Sequence, residues 1–123
     1  MNDQTLLDKM KDNSITNEEL ILGLNAGKHN VIGRTILAII ERKYCNEQVI
    51  LKLAQLGSLL QDHLLIGPYQ IGHMAIAALY LIDNDEARPK YYDLFNTLNE
   101  RDKFFVENFI EQYTKKPKET AQN

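Results

Sequence analysis

The chain has no tryptophan, one cysteine, three prolines and no apolar run longer than the nine residues from Met74 to Ile82. Each shortage excludes something. A lone Cys45 cannot form an intramolecular disulfide, which fits a reducing cytoplasm. Nine apolar residues fall far short of the roughly 20 needed to span a bilayer. Met1-Asn2-Asp3-Gln4 has no basic segment ahead of an apolar core, so it does not read as a signal peptide. No stretch alternates apolar and polar residues over more than a few positions, so no strands are expected. Positive charge is also short: 14 Lys and Arg stand against 17 Asp and Glu, net −3. Nucleic-acid binding favours a basic surface, so no nucleic-acid partner is expected. By region, residues 1–27 carry −3, 28–66 carry +2, 67–98 carry −2, and 99–123 balance, so no region is a basic platform.

What is present is helical periodicity. At 123 residues the chain is long enough for one domain with a buried core. Leu6, Leu7 and Met10 share one side of a first helix over 2–11. Thr16-Asn17-Glu18-Glu19 is a capping box. The helix it opens carries Leu20, Ile21 and Leu24, and Gly27 suits a left-handed stop. A third helix opens at Asn30 with Val31, Ile32, Ile36, Leu37, Ile39 and Ile40, and Arg42 and Lys43 suit its negative C-terminal dipole. Asn46 caps a fourth helix from Glu47 to about Leu60, and Gly67-Pro68 then breaks the chain, with Pro68 in the first turn of a fifth. Residues 69–82 form a helix apolar almost all round, hence buried on most sides. Asp83-Asn84-Asp85-Glu86 reads as a tight turn feeding an acidic helix start. It lacks the glycine and distal glutamate of a calcium loop. Pro89 falls in the first turn of a sixth helix with Tyr92, Phe95 and Leu98 inside. Asn99 caps a seventh, with Phe104, Phe105, Phe109 and Ile110 in its core pattern. The expected organisation is one helical domain over 1–114 and a flexible, lysine-rich tail over 115–123.

The helices repeat. Ile32-Gly33, Ala38 and Ile40 recur thirty-nine positions later as Ile71-Gly72, Ala77 and Leu79. Glu47, Leu53 and Leu56 recur as Glu86, Tyr92 and Phe95. A period near 40 residues built of helix pairs is the signature of an α-solenoid. The segment Ile71-Gly72-His73-Met74-Ala75-Ile76-Ala77-Ala78-Leu79 to Asp83, with Ala87-Arg88-Pro89 and Leu94-Phe95, resembles a HEAT-like repeat of the short bacterial, phycobilisome-lyase type. Ala75 sits where that pattern has a small residue, Ala78-Leu79 is its Ala-Leu pair, and Ala87 to Pro89 is its Ala-x-Pro. The match covers about 30 residues. The preceding unit departs from it, with Ile39-Ile40 for the Ala-Leu pair and no Ala-x-Pro. The expected fold is all-α: a small solenoid of about three HEAT-like helix pairs, six to seven helices.

Chemistry is scarce. Helical-repeat enzymes similar to deoxyhypusine hydroxylase hold iron through His-Glu pairs. Here the histidines stand as His29-Asn30, His63-Leu64 and His73-Met74. Asp62, His63 and His73 match no ligand spacing. A helix N-terminus lowers a thiol pKa, yet Cys45 has no histidine near it in sequence to act as base. The nucleophile elbow, phosphate loop and dinucleotide fingerprint are missing. No catalytic residue, metal or cofactor is expected.

The resemblance therefore implies a non-enzymatic protein-binding module. In paired-helix solenoids the second helices line the binding face. The candidate contacts are Lys52, Gln55, Lys90, Tyr91 and Asp93, with Asp83, Asp85 and Glu86 at one rim. A net negative surface suits a basic partner. A tiny acidic helical protein is also similar to bacterial immunity proteins that neutralise a cognate toxin, so a basic toxin domain is the sharpest form of that partner. Two other roles stay open: a general adaptor, and lyase-type handling of a tetrapyrrole with Tyr69, His73 and Tyr80 as the lining.

Overall fold

The computed structural model of the chain describes residues 2–58, 65–66 and 69–122, with side chains over 2–58 and 70–115. Seven helices follow one another: α1 (Asp3–Lys11), α2 (Asn17–Leu24), α3 (His29–Arg42), α4 (Glu47–Gly57), α5 (Ile71–Leu81), α6 (Ala87–Phe95) and α7 (Glu100–Gln122). Side-chain caps set most of the starts. Asn2, Asn46 and Asn99 each accept from a backbone N–H three residues on, at 2.8–2.9 Å. Thr16 and Glu19 form the reciprocal box, the Thr16 hydroxyl accepting from the Glu19 N–H at 3.1 Å and the Glu19 carboxylate from the Thr16 N–H at 2.8 Å.

Several local expectations are corrected. Gly27 is not the left-handed stop of α2, which ends at Asn25 with φ −98°. The left-handed positions are Asn13, Lys43 and Asp83, after α1, α3 and α5. A minimal antiparallel ladder, β1 (Leu65–Ile66) with β2 (Tyr69–Gln70), stands where no strand was expected, so α5 begins at Ile71 rather than 69. The backbone of α7 stays helical to Gln122 through the stretch expected as a loose tail. A Lys115–Glu111 pair at 2.8 Å supports that turn one residue past the expected boundary. Leu60, Asp62, His63, Gly67 and Pro68 lie outside the described residues.

The helices form two layers. Neighbours in one layer are α1 on α3, α3 on α5 and α5 on α7; in the other they are α2 on α4 and α4 on α6. Helices within a layer run parallel. Arg42 at the end of α3 donates to Asn13 just past α1. His73 at the start of α5 meets Asp102 at the start of α7. The Glu86 carboxylate acts on the Cys45 thiol at the starts of α6 and α4, while Gly57 and Leu94 approach through Ile76 at their ends. Across the layers the direction reverses: the Arg88 guanidinium in α6 donates to the Tyr80 carbonyl late in α5 at 3.1 Å. Alternating antiparallel helices stacked this way make a small two-layered all-α fold. The two related stretches are not packed alike. α5 lies along α6, whereas α3 and α4 meet chiefly through α5.

α5 is the spine. Ile71 through Leu79 are all buried, because α3, α4, α6 and α7 surround it. Its Ala75, Ala77 and Ala78 leave room for that crowding, and Ile71, Ile76 and Leu79 each contribute about 1.5–3 kcal/mol by leaving water. Close approach is repeated between α2 and α3. A Cβ at Gly23 would overlap the Thr35 side chain, whose hydroxyl is tied to the Val31 carbonyl at 2.7 Å. Gly23→Ala is therefore expected to lower stability by about 1–3 kcal/mol, read as a reduced midpoint in urea unfolding. A midpoint at or above that of the unsubstituted protein would refute the close packing of α2 on α3.

Candidate functional site

The second helix of each pair presents its outer side to solvent. α4 shows the pattern most clearly, because α2 and α6 flank it and α5 backs it. Its inner side buries Val49, Ile50, Leu53 and Leu56, and the side turned half a revolution away carries Glu47, Leu51 and Gln55. Leu51 is 62% exposed. On α2, Leu22 stands opposite the buried Leu20 and Leu24 and is 51% exposed. Both leucines fall at the fifth or sixth helical residue of parallel helices, hence at similar height.

Of the candidates read from sequence, Gln55, Asp83, Asp85, Glu86, Lys90 and Asp93 are exposed and Lys52 is half-buried. Tyr91 is corrected: it is 6% exposed and belongs to the core, while Tyr92, expected inside, is 50% exposed. The cause is a one-residue change of phase. The buried positions Val49, Leu53, Leu56 and Gly57 have their inward counterparts at Ala87, Tyr91, Leu94 and Phe95, thirty-eight residues on rather than thirty-nine. One residue rotates a helical side chain by about 100°, enough to exchange Tyr91 with Tyr92.

Parallel packing also gathers charge. The starts of α2, α4 and α6 lie along one rim and bring Glu18, Glu47, Asp85 and Glu86 to it. The α2 and α4 starts share a cleft lined by Asn17, Glu18, Ile21, Tyr44, Asn46 and Gln48. Carboxylates at helix N-termini are favoured by the dipole. The turn before α6 is built by Asn84, whose side chain accepts from the N–H groups of Glu86 and Ala87 at 2.8 and 3.2 Å. Asp83 is engaged by Arg88 at 3.1 Å, so Asp85 and Glu86 are the outward acids there. Cys45 sits behind this rim. Burial first, and then the Glu86 carboxylate, push its thiol up from the ordinary range.

A second recess opens between α6 and α7. Tyr80, Tyr91, Tyr92, Phe95 and Ile110 form its walls, and Asn96, Glu107 and Glu111 complete the lining of about 420 Å³. Tyr91 stacks on Phe95 at 5.3 Å and meets the Tyr80 and Tyr92 rings at 5.1 Å each. Burial, followed by the Glu107 charge, raises the Tyr91 phenol to about 12.

His73 is the fully buried polar side chain of α5. Its Nδ1 accepts from the Gln70 N–H at 3.2 Å, and Nε2 faces the Asp102 carboxylate at 2.8 Å. With Nδ1 accepting, Nε2 carries the proton and donates it to Asp102. Both ring nitrogens are engaged, so His73 offers none to a tetrapyrrole or metal. The Tyr69 side chain lies outside the described ones. Among the described residues no group of three His, Cys, Asp or Glu could hold a metal, and no helix is long and apolar enough to cross a membrane. No protein-family model matches the chain, and neither a curated protein nor a solved structure matches it significantly.

Two outcomes follow from these side chains. Asp102→Ala strands the buried Nε2–H of His73 and is expected to cost about 1–3 kcal/mol in urea unfolding, whereas an exposed-site change such as Asp93→Ala should stay within about 0.5 kcal/mol. The Tyr91 phenol holds its proton in the folded state to higher pH than in the unfolded chain, so its contribution is complete below about pH 10 and is lost as pH rises towards about 12. Thermal melts across that window should show a falling Tm, and Tyr91→Phe should shallow the fall. Some slope should remain, because burial and Glu41 also raise the Tyr113 phenol.

Proposed function

We propose that this protein is a non-enzymatic binding module for a basic protein, and that in its sharpest form it is an immunity protein that neutralises a cognate toxin. The observation that carries the reading is the outer face of α2 and α4, where Leu22 and Leu51 stand exposed beside the rim of Glu18, Glu47, Asp85 and Glu86. Large aliphatic side chains left in water on a layered helical scaffold supply the apolar centre that an interface needs. Carboxylates along one edge supply attraction and orientation for a positively charged partner. The same surface also carries Lys90 and the half-buried Lys52, and Arg42 reaches the α2 start by donating to Asn17, so the attraction rests on the outward acids of the rim and not on the net charge of the face. The HEAT-like resemblance of residues 71–95 supports the same role, since such repeats present their second helices to a partner.

The test is co-purification with the product of the adjacent gene, followed by titration of that product. Leu51→Asp and the double change Glu47→Lys with Glu86→Lys should each weaken binding by about tenfold or more, and raising salt should weaken the unsubstituted complex. Co-expression should also relieve any toxicity of that product, and Leu51→Asp should remove the relief. Retention of full affinity by both variants would overturn the role of this face.

A further inference from the structure

The recess between α6 and α7 is separate from that face and differs in chemistry. In the even layer α6 is covered by α4 on one flank; on the other flank stands the recess, bounded below by α7. No helix among the described residues occupies it. A fourth helix of the even layer would lie there, parallel to α6 and packed across α7, as α6 itself lies beside α4 and across α5. The lining matches such an occupant. Tyr92, Phe95 and Ile110 offer ring and aliphatic surface at the mouth, and Tyr80 and Tyr91 offer it at the floor.

The charges in the lining decide the polarity of the guest. Both charged side chains there are carboxylates, Glu107 and Glu111. Glu111 is held by Lys115 at 2.8 Å. Among the described residues the Glu107 side chain makes no ion pair or hydrogen bond, and it lies close enough to Tyr91 to help raise that phenol. The two nearby cations lie on rings of the lining and not on Glu107. Arg88 lies 4.0 Å over the Tyr80 ring and bonds Asp83, and Lys103 lies over the Phe95 ring at 5.6 Å. Glu107 is thus the carboxylate of the recess left to a guest.

We infer that the α6–α7 recess is a docking site for an amphipathic helix of another protein, which lays aliphatic side chains on Tyr92, Phe95 and Ile110 and places a lysine or arginine against Glu107. The helix adds a member to the even layer in trans. Binding of a helix in a groove needs apolar anchors at i, i+3 or i+4 and i+7. The guest's cation, flanked by aromatic rings and a carboxylate, gains both a charge-assisted hydrogen bond and ring contact.

The probe is a displayed library of helical peptides selected against the whole protein, with the recovered peptides synthesised and titrated by calorimetry. The expected peptides have an apolar stripe bordered by a lysine or arginine. Glu107→Lys and Tyr92→Ala should each weaken them by about tenfold, with cooperative thermal melts showing that both variants remain folded. Replacing the peptide's basic residue by glutamate should restore binding to the Glu107→Lys variant. Glu47→Lys should leave the affinity unaltered, which separates this site from the rim of the α2–α4 face. Recovery of no binder, of acidic binders, or of binders indifferent to Glu107 and Tyr92 would overturn the inference. Sedimentation showing a homodimer that Glu107→Lys dissolves would overturn it in favour of a second copy of this chain as the occupant.

Discussion

The structure depends on the burial of one helix that has almost no polar side. From Ile71 to Leu79 every residue of α5 is withdrawn from water, and no single neighbouring helix could cover it. Four helices do so, α3 and α7 within its own layer and α4 and α6 from the other. The two-layer arrangement follows from that requirement. The alanines of α5 set how near the four can come, and its isoleucines and leucines supply the apolar area that holds them. His73 is the polar exception, and it is admitted because a backbone N–H and the Asp102 carboxylate satisfy both of its ring nitrogens. That pair also fixes α7 on α5 and so determines where the α6–α7 recess opens.

Both candidate surfaces are consequences of layering. Once even-numbered helices run parallel, residues favourable at a helix start for local reasons come to lie along one edge. Glu18 and Glu47 fall in the first turns of their helices and Glu86 stands at the N-cap position of α6, where the helix dipole favours a carboxylate. Their alignment into a rim is a property of the stack. The apolar centre has the opposite origin. Leu22 and Leu51 gain nothing from the isolated fold, since each stands on the side of its helix facing away from the core.

Much of the fold was legible in the chain. Seven helices, the Thr16 box, the asparagine caps at positions 46 and 99, Pro89 in a first turn and the buried spine all express local rules: periodicity, capping and the geometry of proline. The site was legible in part. The acids of the 83–86 turn and Gln55, Lys90 and Asp93 are exposed as their pattern implied, while Lys52 is half-buried. Tyr91 was misplaced because two adjacent tyrosines are equivalent to a sequence reading, and the thirty-nine-residue register pointed to the wrong one. The recess went unseen because Tyr80, Phe95, Glu107 and Ile110 come from three helices and share no motif.

By itself the sequence determined helix number, most helix starts, the identity of the buried spine and the sign of the surface charge. These depend on interactions within a few residues or on composition alone. Tertiary structure decided the phase of α6, the partner of His73, the crowding at Gly23 and the cleft beside α7. Each of these depends on the distance and rotation between helices far apart in the chain. A rotation of 100° about one helix axis exchanges a core side chain for a surface one, and nothing local to Tyr91-Tyr92 fixes that angle until α5 is packed beneath them.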